Sequence, residues 1–162
     1  FRLITLMMFT CAFTSTVAQS PTSSLEPLSQ FPRSTITILT PDGHQHAFEV
    51  WVADTEPRRE QGLMKVKGLA ANSGMLFIFD QPERVQMWMK NTLIPLDMLF
   101  IDSTGRIDSI AANTSPMSLK IIDAKRPVLG VLEIAGGIAA KEGIKAGALI
   151  KHSAFTPPKQ VN

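Results

Sequence analysis

The chain has 162 residues, enough for one domain with tails and too few for two independent cores. Sixteen Lys and Arg against fourteen Asp and Glu leave a formal charge of +2, which excludes the strongly basic field behind sequence-independent nucleic-acid binding, so nucleic acid is not expected as a partner. One cysteine excludes an internal disulfide, a thiolate zinc cluster and an iron–sulfur centre, so no cofactor is expected, and a hydrophobic share of 44% excludes disorder over the whole length.

At the start, Arg2 precedes the apolar run Leu3 to Phe13, and Thr16-Val17-Ala18 places small or modest residues where a processing enzyme would cut. Residues 1–18 therefore read as a signal peptide cleaved after Ala18, and the protein is expected in the periplasm or secreted. A run of roughly eleven residues falls short of the about twenty needed to cross a bilayer, so no stable membrane span is expected after leader removal. Retention of the leader as an anchor is the alternative. Met8-Phe9-Thr10 makes a poor lipobox for Cys11, and that cysteine leaves with the leader. Residues 19–33, rich in Ser, Pro and Thr, are expected to form a flexible spacer. A single β-rich domain then fills residues 34–155, and Thr156-Pro157-Pro158 opens a polar tail over residues 156–162.

Within the domain the dominant period is two. Thr35 to Thr40 alternates, Pro41-Asp42-Gly43 turns, and Phe48, Val50 and Val52 then face away from Glu49 and Trp51, which is a hairpin. Thr55 is the N-cap of a short helix that carries Pro57 in its first turn and stops near Gly62. Further strands are expected over Met75 to Phe79, Arg84 to Lys90, Asp97 to Ile101, Arg106 to Ala111, Val128 to Ile134 and Ala148 to His152. Asp102-Ser103-Thr104-Gly105 turns a second hairpin, and a second short helix spans Ile138 to Glu142 between two glycines. The fold class is mainly β: a single-domain, jelly-roll-like β-sandwich or a partly closed barrel, with two short helices. Ile36, Ile38, Val50, Phe77, Phe79, Met89, Leu99, Phe100, Ile101, Val131 and Ile134 are expected in its core.

The segment Met87-Trp88-Met89-Lys90-Asn91-Thr92-Leu93-Ile94-Pro95-Leu96-Asp97-Met98-Leu99-Phe100-Ile101-Asp102 resembles the signature of the family known as domain of unknown function 192. So do Gly62-Leu63-Met64, Gly74 to Phe79, and Val131-Leu132-Glu133 through Gly143-Ile144-Lys145, in the same order. The resemblance covers about Ile36 to Ile150 and implies a compact β domain, often exported in bacteria, with no established activity. Many relatives carry Cys where this chain has Pro116-Met117, and Gly-Asp where it has Gly147-Ala148, so no thiol role carries over to it.

Strand alternation over Arg84 to Lys90 puts Val85, Met87 and Met89 on one face and Trp88 among Gln86 and Lys90 on the other. A flat ring amid hydrogen-bonding side chains suits a sugar or another polar ligand; packing at a sheet edge is the plainer use. Lys90, Asn91, Thr92 and Asp97 crowd one connection, and with Trp88 they are the candidate ligand-binding residues. Equally, Asn91 and Thr92 serve a turn while Lys90 and Asp97 pair across it. No catalytic residues stand out, because no nucleophile is placed beside a base. Met87, Met89, Met64, Met75 and Met98 admit a soft copper site as the alternative to core packing, while His44 and His46 lack a third ligand. The leading expectation is thus an envelope binding or accessory module for a small polar, carbohydrate-like ligand or an envelope component. A copper binder and an enzyme of unknown reaction follow it.

Overall fold

The computed structural model describes residues 25–155, so the expected leader, the first part of the spacer and the C-terminal tail lie outside the described residues. Among the described residues, nine strands and two short helices follow one another. They are β1 (Arg33–Leu39), β2 (Gln45–Ala53), α1 (Glu56–Gln61), β3 (Ser73–Glu83), β4 (Gln86–Met87), β5 (Leu96–Ile101), β6 (Ile107–Thr114), β7 (Ile122–Asp123), β8 (Val128–Ala135), α2 (Ile138–Lys141) and β9 (Leu149–Lys151). Seven strands form one sheet in the order β6-β5-β8-β3-β2-β1-β9, and β4 pairs with β7 in a separate two-stranded ribbon.

Both expected hairpins form, for reasons local to their turns. Gly43 and Gly105 take the left-handed conformations at φ 90° and 84°. At the second turn, Asp102 Oδ1 accepts the Thr104 N–H at 2.8 Å and the Arg106 N–H at 3.0 Å. The β2–β3 pair is parallel, so the chain must cross between them, and it does so through α1 and residues 62–72.

The sheet curls until its ends meet. Arg106 bridges Leu149, the Ile107 N–H donates to the Ala148 carbonyl at 2.9 Å, and the Ile150 N–H donates to the Gly105 carbonyl at 2.7 Å. Of the two forms consistent with the alternation, the structure takes the partly closed barrel. Period-two strands then give two apolar layers. Ile36, Ile38, Val50, Leu76, Leu99, Leu132 and Ile150 fill the inside of the curl. Met75, Phe77, Met98, Phe100 and Val131 face outward beneath Leu63, Val85, Met89 and Ala124. Each fully buried aliphatic or aromatic side chain contributes about 1.5–3 kcal/mol.

Three expectations need correction. Residues 26–33 are not a free spacer: Leu28–Gln30 forms a 3-10 turn, Phe31 is 3% exposed within the outer layer, and Arg33 already belongs to β1. A single aromatic side chain with a hole to fill outweighs a loop-forming composition. Arg84 to Lys90 is strand only over Gln86–Met87, because β7, its partner, is itself only two residues long. Phe79 is half-buried at the rim of the outer layer rather than in the core.

Candidate functional site

The outer layer is not completely covered. Between α1, β3 and the β4 segment lies a cavity of about 240 Å³, room for roughly eight waters at about 30 Å³ each and therefore for one small ring. Phe77, Phe79, Met87 and Trp88 supply apolar lining, Arg59 and Lys90 positive charge, Glu56 and Glu60 negative charge, and Glu133 a buried acid. A second cavity of about 410 Å³ shares Glu60, Gln61, Met64, Trp88 and Lys90 with the first, so the two form one groove with Trp88 and Lys90 in its dividing wall.

Glu133 sits on β8 in the parity of Val131, opposite Met75 on β3 and Met98 on β5. It is 4% exposed, and burial pushes its pKa up to about 8. No hydrogen bond or neighbouring charge among the described residues offsets that burial. At neutral pH its carboxyl is therefore mostly protonated, holding one O–H donor and one carbonyl acceptor toward the cavity.

Trp88 is 42% exposed beside buried Met89, and Lys90 Nζ lies 4.9 Å from the centre of its ring. Arg59 is held in the opposite wall, where Nη1 donates to the Ile78 carbonyl at 2.9 Å and the guanidinium lies over the Phe79 ring. Gly62 ends α1 with φ 50°, and a Cβ there would stand 3.2 Å from the Phe77 ring, so glycine lets the α1 terminus approach the cavity wall. Gln61 exchanges two hydrogen bonds with the Glu26 backbone, at 2.6 and 2.7 Å, and Arg58 holds the Glu26 carboxylate at 3.0 Å.

Of the five residues singled out from the sequence, Trp88, Lys90 and Thr92 line the groove. Asn91 sits beside it in a left-handed conformation at φ 57°, its Nδ2 donating to the Met64 sulfur at 3.8 Å. Asp97 belongs elsewhere. It is fully buried, and its carboxylate accepts the N–H groups of Asn113 at 2.7 Å, Gly137 at 3.0 Å and Ala139 at 2.8 Å. It therefore ties β5 to β6 and to the start of α2, and pairs neither with Lys90 nor with the groove. Met75, Met89 and Met98 are at most 1% exposed and pack in the outer layer, with Met89 sulfur also accepting the Thr114 hydroxyl at 3.1 Å. His44 pairs with Asp42 on the first hairpin and His46 with Glu142.

Sequence reasoning missed Glu133, Arg59 and Gln61. The available signal was a lone acid inside the apolar run Val128 to Ile134, where a central strand has no solvent to receive it.

Comparison with known proteins follows the fold closely. Residues 37–152 match the model of the DUF192 family, described as "Uncharacterized ACR". No curated protein matches significantly. A solved structure described as a "putative transcription regulator", from Sinorhizobium meliloti 1021, is similar at 39% identity and a TM-score of 0.76, over 77% of this chain and 97% of that one. A protein of unknown function from Novosphingobium aromaticivorans DSM 12444 is similar at 34% identity and a TM-score of 0.75, over 88% of this chain and 100% of that one.

Proposed function

The chain belongs to the DUF192 family, and from that premise we propose that it is an exported binding module of the cell envelope whose groove takes a small, uncharged, carbohydrate-like ligand. The observation that carries this reading is the buried, unpartnered Glu133 carboxyl at the floor of an open groove. The carboxyl has no hydrogen-bond partner among the described residues and opens on the cavity, so a ligand offering both a donor and an acceptor can bond it there. A sugar hydroxyl does so. Trp88 presents a flat apolar face to C–H surface, while Lys90 and the Thr92 side chain supply polar contacts at the wall. The groove lining contains no serine, cysteine or histidine among the described residues, which favours holding a ligand over transforming it. Export rests on the leader-like residues 1–18. The regulator description belongs to the Sinorhizobium protein; a near-balanced charge of +2 supports a small ligand rather than DNA for this chain.

The test is a thermal-shift screen of neutral monosaccharides, amino sugars, polyols and small amides, since anything that binds only the native state raises its melting temperature. A saturable rise with a neutral sugar or polyol, lost in Glu133→Leu, is the expected result. A panel in which no compound stabilises the protein overturns the proposal, and a response confined to amines would replace it with a cation site.

A further inference from the structure

Three loops meet on one side of the groove: residues 63–67, 88–95 and 115–122. Backbone hydrogen bonds lace them together, from the Lys65 N–H to the Asn91 carbonyl at 2.9 Å, the Met117 N–H to the Thr92 carbonyl at 3.0 Å and the Met89 N–H to the Ser118 carbonyl at 3.1 Å. Lys65, Asn91 and Met117 hold φ values of 63°, 57° and 60°, which makes them three of the four non-glycine residues with positive φ among the described residues. Side-chain-bearing residues rarely adopt that conformation, and strain of this kind collects where shape serves a purpose.

The composition of the three loops is unusual for a solvent-facing surface. Trp88, Leu93, Met117, Leu119 and Ile121 are 40–68% exposed, five of the six large apolar side chains left exposed among the described residues. The sixth, Leu25, shares the outer cavity with Trp88. Lys65, Lys67, Lys90 and Lys120 stand among them, and none of the three loops contains an aspartate or glutamate.

We propose that this lysine-flanked apolar tip is a peripheral docking surface for an anionic lipid bilayer. Four ammonium groups, none of them in an ion pair among the described residues, complement lipid phosphates, and lysine stems lie along apolar surface while their heads stay in the headgroup layer. The apolar side chains are spread over loop ends rather than gathered in a concave slot, which suits a fluid surface better than a shaped protein partner. A tryptophan at the edge is at home where headgroups meet hydrocarbon. The surface is independent of whether the groove binds a sugar, although Trp88 and Lys90 belong to both.

The experiment uses the full chain carrying Trp51→Phe, so that Trp88 is the only tryptophan, with vesicles of phosphatidylcholine alone or mixed with phosphatidylglycerol. Binding to the mixed vesicles that weakens with salt, together with a blue-shifted Trp88 emission quenched by brominated lipid, is the expected result. Lys65→Gln with Lys120→Gln should weaken partitioning roughly thirtyfold, at about 1 kcal/mol per lysine. Met117→Ser with Leu119→Ser should abolish the quenching at an unchanged melting temperature, because both side chains are exposed. Vesicle binding without Trp88 quenching would overturn the proposal by placing the contact in another segment. Equal binding to both vesicle types would overturn the charge argument. Absence of vesicle binding with concentration-dependent self-association would give the surface to a second copy of the chain.

Discussion

Replacing Glu133 by Gln keeps the shape of the side chain and removes its ionisation. In the folded protein burial raises this carboxyl from an ordinary 4.5 to about 8, whereas the unfolded chain ionises at the ordinary value. Between those two pH values the native state holds a proton that the unfolded state has released, so stability falls as pH rises. Each pH unit in that window costs about 1.4 kcal/mol, which amounts to about 3 kcal/mol at pH 7 and about 5 kcal/mol above pH 8. Below pH 4.5 both states are protonated and the cost is absent. Urea unfolding of the parent and of Glu133→Gln from pH 4 to 9 should therefore give curves that converge at the acid end. They should separate toward neutrality, with the Gln variant the more stable by about 3 kcal/mol at pH 7. His152, whose partial burial lowers its pKa, acts in the opposite sense, losing stability as pH falls through the ordinary histidine range. It is present in both proteins and cancels in the difference. Two curves that run parallel across the whole range would refute the reading of Glu133 as a neutral buried acid.

Trp88→Ala should abolish ligand response while costing about 1 kcal/mol of stability in urea, well under the roughly 3–5 kcal/mol of emptying a packed aromatic site. Asp97→Ala should do the reverse, destabilising by about 3–5 kcal/mol because three buried amides lose their acceptor; any binding defect measured calorimetrically should follow the unfolded fraction. Gly105→Ala should cost about 2–3 kcal/mol, since its Cβ would lie 2.6 Å from the Ile150 carbonyl oxygen at φ 84°. The loss should appear as faster amide exchange along β9, where the barrel closes.

What could be read from the sequence depended on how locally each feature is determined. The hairpins were legible because Asp42-Gly43 and Asp102 to Gly105 carry their own turn chemistry. Trp88's exposure was legible because it alternates with Met87 and Met89. Asp97 was misread because proximity along the chain stood in for proximity in space. Its three partners lie 16, 40 and 42 residues away, and no spacing rule reaches that far. Glu133 lies within a legible motif, but period two assigns it a face without saying which face adjoins a cavity. Phe31 was hidden by its Ser- and Pro-rich surroundings, where only the packed outer layer reveals a place for it.

The clasp between residue 26 and α1 gives the domain a mechanical character. Arg58 and Gln61 grip Glu26 from the same short helix whose residues wall the groove, and Phe31 is inserted just before β1 begins. A pull along the chain from the N-terminal side therefore loads α1 first, then the Phe31 plug, and only afterwards the hydrogen-bonded rows of β1. Strain entering at residue 26 therefore reaches the groove wall before it reaches the barrel.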